Sequence, residues 1–102
     1  MSISVYHAIA DPRRRALLEL VREGEQPVQS LVAEFDVSFP AISQHLAVLR
    51  NAGLVEARQE GRSRLYRATP AALREVYDWT GQYRDFWRQR FRRLNAYLDE
   101  QP

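Results

Sequence analysis

The sequence predicts a mainly helical domain that carries one β-hairpin, and three observations point there. Asp11-Pro12, Ser38-Phe39-Pro40 and Thr69-Pro70 each pair a capping residue with a nearby proline, which is a helix-start signal. Apolar residues then recur at three- and four-residue steps behind each start. Between the second and third of these segments, Glu60-Gly61-Arg62-Ser63 separates two short runs with strand character, Leu54 to Gln59 and Arg64 to Ala68.

The first capped helix begins at Asp11, whose carboxylate can accept from free backbone N–H groups and offsets Arg13, Arg14 and Arg15 in the first turn. It is expected to run to about Glu23, with Leu17, Leu20 and Val21 inward and Gly24 as the stop. Glu25 to Pro27 reads as a loop, and a second helix follows from about Val28 to Phe35. Asp36, Val37 and Ser38 then make a three-residue turn, with Ser38 capping a third helix that continues to Ala52 before Gly53 closes it. Two helices joined so tightly form a helix-turn-helix over residues 28–52, and the hairpin over 54–68 follows as a wing. The last segment, 70–98, reads as one C-terminal helix in which Gly81 is a potential break.

With 102 residues, the chain fits one domain, 1–102, that buries roughly 60 to 65% of the surface its unfolded form exposes. The absence of cysteine excludes disulfides, thiolate metal sites and cysteine nucleophiles. Met1 to Ala10 lacks the basic flank and long apolar run of a leader, and no stretch approaches the ~18 apolar residues of a membrane span, so a cytoplasmic protein is expected. Catalysis has little to stand on. Ser43 and His45 lie two residues apart, about 200° around a helix, and cannot pair as nucleophile and base. The only two histidines, His7 and His45, do not have metal-ligand spacing, and the C-terminal carboxylates alone make a poor zinc site. His45 falls at the edge of the inward arc and is expected to pack. Neither a metal nor a cofactor is expected.

On a helical wheel, Ile42, Leu46 and Leu49 of the third helix face inward, while Phe39, Pro40, Ser43, Gln44, Ala47, Arg50 and Asn51 face out. That outward face suits the major groove of double-stranded DNA. Ser38 marks a helix N-terminus that attracts phosphate, Gln44 can make a bidentate contact to adenine, and Phe39 or Pro40 can touch a thymine methyl. Arg62 sits at the wing tip, flanked by Arg58, Arg64 and Arg67, where an arginine can enter a narrow minor groove while its neighbours meet phosphates. The charge distribution agrees. All 15 basic residues are arginine; residues 1–36 carry four against six acids, residues 37–68 five against two, and residues 69–102 six against five, so the net charge of +2 hides a basic recognition helix and wing.

In the C-terminal segment, Leu73, Val76, Tyr77, Tyr83, Trp87, Phe91, Leu94 and Leu98 form a stripe about 120° wide, which Trp79, Phe86 and Tyr97 widen to about 180°. One small core cannot cover so broad a face, and a second copy of the chain is the expected cover. Arg84 and Arg90 interrupt the face as candidate interfacial ion-pair partners.

Four stretches carry a resemblance: Ala10-Asp11-Pro12-Arg13-Arg14-Arg15; Leu31-Val32-Ala33-Glu34-Phe35; Val37 to Leu46 continuing through Val48-Leu49-Arg50-Asn51-Ala52-Gly53-Leu54-Val55; and Glu60-Gly61-Arg62-Ser63-Arg64-Leu65-Tyr66. Over about Tyr6 to Ala68 the sequence resembles the winged helix-turn-helix repressors of the ArsR type, in a branch without metal-sensing cysteines. The resemblance implies a homodimeric bacterial repressor on a two-fold operator, with the first and last helices as the dimer interface. Tyr6 and Ile9 would then join Val76, Trp79, Tyr83, Phe86, Trp87, Phe91 and Leu94 in that interface. Classical members sense metals through cysteines near the recognition helix or Asp and His residues on the last helix, and this chain has neither set. Three positions depart from the pattern: Pro27 replaces a Ser or Thr cap, Val32 a small residue, and Asp36 the glycine of the turn, where a strained left-handed aspartate is expected. The operator and any small-molecule effector stay unidentified. Two alternatives stay open: a winged-helix module that docks a protein on Phe39, Pro40 and Ala47, and a repressor released by a small apolar effector between the aromatic C-terminal helices.

Overall fold

The computed structural model describes residues 3–100, so the outer residues of the expected 1–102 domain lie outside the described ones. The chain opens with α1 (Val5–Ile9), a helix too short for periodicity to reveal, capped by Ser4 Oγ accepting from the Tyr6 N–H at 3.1 Å. In α2 (Pro12–Val21), Asp11 caps as expected, accepting from the N–H groups of Arg13 at 2.7 Å and Arg14 at 3.3 Å. The helix stops two residues early because the Arg22 N–H turns back to the Glu19 carbonyl three residues before it, tightening the last turn.

The loop expected at Glu25 to Pro27 contains a strand. β1 (Gln26–Pro27) pairs antiparallel with β3 (Ser63–Ala68), Gln26 opposite Tyr66 and Pro27 opposite Leu65, and β3 pairs in turn with β2 (Val55–Glu60). The sheet order is β1-β3-β2, so Pro27 sits on an edge strand, where its missing N–H is tolerated. Two residues are too few to show alternation, which is why the pattern hides this strand.

After α3 (Val28–Ala33) the turn runs from Glu34 to Ser38, longer than the three residues expected. Spread over five residues, the change of direction needs no left-handed backbone, and Asp36 is not strained: among the described residues only Gly53 and Gly61 have positive φ. Half-buried Phe35 and Val37 hold the turn against the core.

The recognition helix α4 (Phe39–Asn51) is capped by Ser38 Oγ, which accepts from the Ala41 N–H at 3.3 Å. At its other end Gly53, with φ of 79°, lets the Leu54 N–H reach the Leu49 carbonyl (2.9 Å) and its own N–H reach the Arg50 carbonyl (3.0 Å). Leu49 and Leu54 meet in the core beside this double closure. An added Cβ at Gly53 would find only Ala72 Cβ at 3.9 Å, so the cost of Gly53→Ala is backbone strain alone. The variant is expected to lose about 1–2 kcal/mol in urea unfolding, and a loss near zero would show that the cap relaxes.

Leu17, Leu31, Ile42, Leu46, Leu49, Leu54 and Val55 form a core shared by α2, α3, α4 and the root of the wing. Thr69 belongs to this frame rather than capping a helix: its hydroxyl donates to the Gly53 carbonyl at 2.6 Å and its N–H to the Leu54 carbonyl at 2.8 Å.

The single C-terminal helix over 70–98 is corrected to three pieces: a 3₁₀ turn (Pro70–Leu73), α5 (Arg74–Gly81) and α6 (Arg84–Glu100). Around Gly81 the backbone finds other partners. The Thr80 hydroxyl donates to the Tyr77 carbonyl (2.9 Å), the Gln82 amide to the Trp79 carbonyl (3.0 Å), and the Tyr83 N–H to the Thr80 carbonyl (3.0 Å). These bonds satisfy the end of α5 before α6 begins. α6, about 25 Å long at 1.5 Å per residue, buries none of its residues. It draws the molecule out to 61 Å in its longest dimension, with a radius of gyration of 18.2 Å against about 13 Å for a compact chain of this size.

Candidate nucleic-acid interface

The helical period decides what α4 presents. With Ile42, Leu46 and Leu49 fully buried, Phe39 (53% exposed), Pro40, Gln44, Ala47, Arg50 and Asn51 stand on the outer face, and Ser43 is half-buried beside them. Ser38 lies at the start of this face with its Oγ engaged as the cap. Between α4 and the wing lies a cleft of about 310 Å³, lined by Phe39, Ser43, Ala47, Arg50, Arg64 and Tyr66. Arg64 lies over the Tyr66 ring, its guanidinium carbon 5.8 Å from the ring centre.

Strand alternation then sorts the wing arginines, which sequence reading had grouped as one basic surface. Gly61, with φ of 60°, and Arg62 form a two-residue turn that pairs Glu60 with Ser63, Gln59 with Arg64 and Arg58 with Leu65. Arg64 and Tyr66 therefore share the face toward α4, whereas Arg58 and Arg67 share the opposite face. There they are engaged by carboxylates. Arg58 Nε and Nη2 donate to the two oxygens of Glu25 at 2.8 and 2.7 Å, and Nη2 also to Glu60 at 3.2 Å. Arg67 Nε and Nη2 donate to one Glu56 oxygen at 3.0 and 2.7 Å. The hydrogen bond from Arg58 holds the Glu25 carboxyl below its ordinary value against some burial, and the same bond pushes Arg58 up. The Arg58 side chain, expected from the sequence beside the DNA, is turned away from the α4 cleft and already paired. Among the described residues Arg50, Arg62 and Arg64 have no carboxylate within ion-pair distance.

Two tethers that the sequence did not reveal hold α1 against this frame. Arg14, expected only as charge in the first turn of α2, donates through Nε to the Ala8 carbonyl (2.6 Å) and through Nη2 to the His7 carbonyl (2.9 Å). Its Nη1 lies 3.3 Å from His45 Nδ1, which must accept, since a guanidinium only donates. Arg15 Nη1 reaches the Ile9 carbonyl at 2.7 Å. The Ala8 and Ile9 carbonyls at the end of α1 thus find donors in α2, which also adds one to the His7 carbonyl, and His45 is packed and bonded. Burial raises the Asp11 carboxyl, but the N–H groups of Arg13 and Arg14, with the charge of Arg14, outweigh it and hold the group below its ordinary value.

The candidate association residues divide into two groups. Ile9 and Val76 are half-buried against the chain's own core. Tyr6 donates through its hydroxyl to the Glu75 carbonyl (3.3 Å) and sets its ring edge-on to Trp79 (6.3 Å between centres), which leans on Tyr83 (5.6 Å). Phe86, Trp87, Phe91 and Leu94, with Tyr97 and Leu98, lie along α6 at 48–59% exposure. Arg84 and Arg90 cover rings rather than carboxylates: Arg84 lies 4.8 Å from the centre of Tyr77, and Arg90 4.7 Å from that of Phe86.

The family model for bacterial regulatory proteins of the arsR family matches residues 11–57, from the cap of α2 into β2. An HTH-type transcriptional regulator of Mycobacterium tuberculosis is 44% identical over 80 residues, covering 74% of this chain and 75% of that protein. The chain belongs to the ArsR family. It is also 30% identical over 76 residues to the transcriptional repressor SdpR of Bacillus subtilis, covering 74% of this chain and 84% of that one. A crystal structure of a possible transcriptional regulator for arsenical resistance matches at 42% identity and a TM-score of 0.67, covering 94% of this chain and 95% of that one. An ArsR-like transcriptional regulator from Rhodococcus matches with a TM-score of 0.71 at 28% identity, covering 96% and 90%. Like other ArsR-family members, this winged helix-turn-helix protein is a DNA-binding transcriptional regulator and not an enzyme. No helix among the described residues is long and apolar enough to cross a membrane.

Proposed function

We propose that the protein is a homodimeric repressor that occupies a two-fold operator in the cytoplasm, reading the major groove with α4 and the minor groove with the wing tip. The observation that carries this reading is the cleft between α4 and β3, where Phe39, Ser43 and Arg50 share one surface with Arg64. An outward helix face beside two arginines that lack carboxylate partners fits a polyanion better than a protein. Ser38, Phe39, Pro40, Ser43 and Gln44 meet the groove edge, Arg50 and Arg64 the phosphates, and Arg62 the minor groove. Arg58 acts from the far face, not at the DNA. Tyr6, Trp79, Tyr83, Phe86, Trp87, Phe91 and Leu94 form the two-fold interface, and Ile9 and Val76 support it from beneath. Two recognition helices so related would read half-sites about 34 Å apart or a multiple of it.

The test is a band shift with the tightest duplex recovered from a random-sequence pool, measured against a random duplex over a range of salt. Affinity is expected to fall steeply with salt for both. Arg62→Ala should weaken binding to the selected duplex about tenfold, and Gln44→Ala should relax preference at one base position. If both variants bind as the parent does, this docking is wrong. If neither duplex shifts at any salt, the face serves a protein partner instead.

A further inference from the structure

We propose that Glu25 is a positioning residue for the wing, holding Arg58 so as to fix the direction in which Arg62 leaves the domain. This rests on the docking above. The wing is backed by the rest of the chain only at its root. β1 reaches no further along β3 than Pro27 opposite Leu65, and Leu65 pairs with Arg58 on the other side. Past that rung the hairpin runs out through Gln59 and Glu60 to Gly61-Arg62 with no third strand beside it.

Glu25 precedes β1, while Arg58 is on β2 at the opposite edge of the sheet, so their bond crosses β3 on the face away from α4. Two parallel N–H to carboxylate contacts fix both the separation and the relative plane of the groups, which a single contact does not. The same guanidinium reaches Glu60 at 3.2 Å, carrying the link one step nearer the tip. Glu25 is the less exposed partner, with 27% of its side chain accessible against 55% for Arg58, and its carboxyl is held below the ordinary value by this bond first. Surface ion pairs add little to global stability, and what a bidentate pair adds besides is a fixed geometry. The effect therefore belongs in the wing's orientation.

The direction of the effect separates this role from plain electrostatics. Glu25→Gln keeps the side-chain shape, removes one negative charge and reduces the two-point contact with Arg58 to one acceptor at most, with Glu60 left in place. Long-range attraction alone would make the variant bind DNA more tightly. A misdirected wing makes it bind less tightly.

The experiment measures fluorescence anisotropy on the selected duplex for the parent, Glu25→Gln, Arg62→Ala and the double variant, with amide hydrogen exchange of the free proteins alongside. Glu25→Gln is expected to weaken binding about fivefold in the parent and to cause no further loss once Arg62 is gone, the signature of coupled sites. Exchange should quicken for residues 59–64 and stay unchanged in α2 and α4. Tighter binding, an equal loss with and without Arg62, or unchanged exchange in the wing would each overturn the proposal. If Arg62→Ala binds as tightly as the parent, the docking reading itself has failed and this role fails with it, and the exchange data still report whether Glu25 restrains the wing.

Discussion

Replacing Phe91 and Leu94 together by aspartate is expected to leave a folded monomer that binds the selected duplex at least about 100-fold more weakly than the parent. The argument begins with α6, in which no residue is buried within its own chain. Trp87, Phe91, Leu94 and Leu98 follow one another at steps of four, three and four, the spacing of a seam between two helices. Each is more than half exposed, and Phe86 and Tyr97 extend the same surface. Left in water, such a face is an association surface by default. Two carboxylates in the seam of the proposed dimer would bury charge without a partner, so that dimer is expected to fail while the monomer, which buries nothing there, keeps its core.

The DNA effect follows from joining two weak half-site contacts. In the proposed dimer, once one recognition helix is bound the second acts at an effective concentration set by the linkage, and losing that link costs about two to four orders of magnitude. Sedimentation equilibrium, circular dichroism and anisotropy on the same samples check the three parts. A double variant that stays dimeric would place the interface elsewhere. A monomer that binds as tightly as the parent would show that the chain acts on DNA singly.

How far the sequence could be read depends on whether a feature is local. The caps at Asp11 and Ser38 and the inward arc of Ile42, Leu46 and Leu49 are local, and α2 and α4 stand where their signals lie. The hairpin is also local, and its faces were open to inference: a tight turn at Gly61-Arg62 pairs Gln59 with Arg64, which puts Arg58 and Arg64 on opposite sides. Counting arginines by proximity along the chain overlooked that parity. Glu25 is different, because nothing in the chain announces that a residue 33 positions before Arg58 meets it. Nor could helical wheels resolve the C-terminal segment, since a single wheel assumes one uninterrupted helix and the segment is divided at Gly81, where the Thr80 and Gln82 side chains bond the last carbonyls of α5. The strand at Gln26–Pro27 depends wholly on β3 and has no signal of its own.

Arg14→Met is the second large effect expected, a loss of about 2–3 kcal/mol in urea unfolding. The Arg14 side chain is only 11% exposed, and its head joins three pieces of structure: the Ala8 and His7 carbonyls at the end of α1, the Asp11 cap of α2 at 4.0 Å, and His45 on α4. Methionine keeps the apolar stem and removes every donor, leaving the Ala8 carbonyl, on a fully buried residue, without its bond. Arg14→Lys should recover little, because one ammonium cannot span contacts that the planar fork reaches from separate nitrogens. The loss is not confined to stability. α1 carries Tyr6, which holds Trp79 and the Glu75 carbonyl of α5, so loosening α1 also loosens the base of the proposed two-fold surface. The variant should therefore shift the proposed monomer–dimer equilibrium toward monomer, although residue 14 lies far from α6 in sequence. Unfolding curves read the first effect and sedimentation the second. A variant that loses stability but dimerises as the parent does would confine Arg14 to the core and leave α1 no part in the interface.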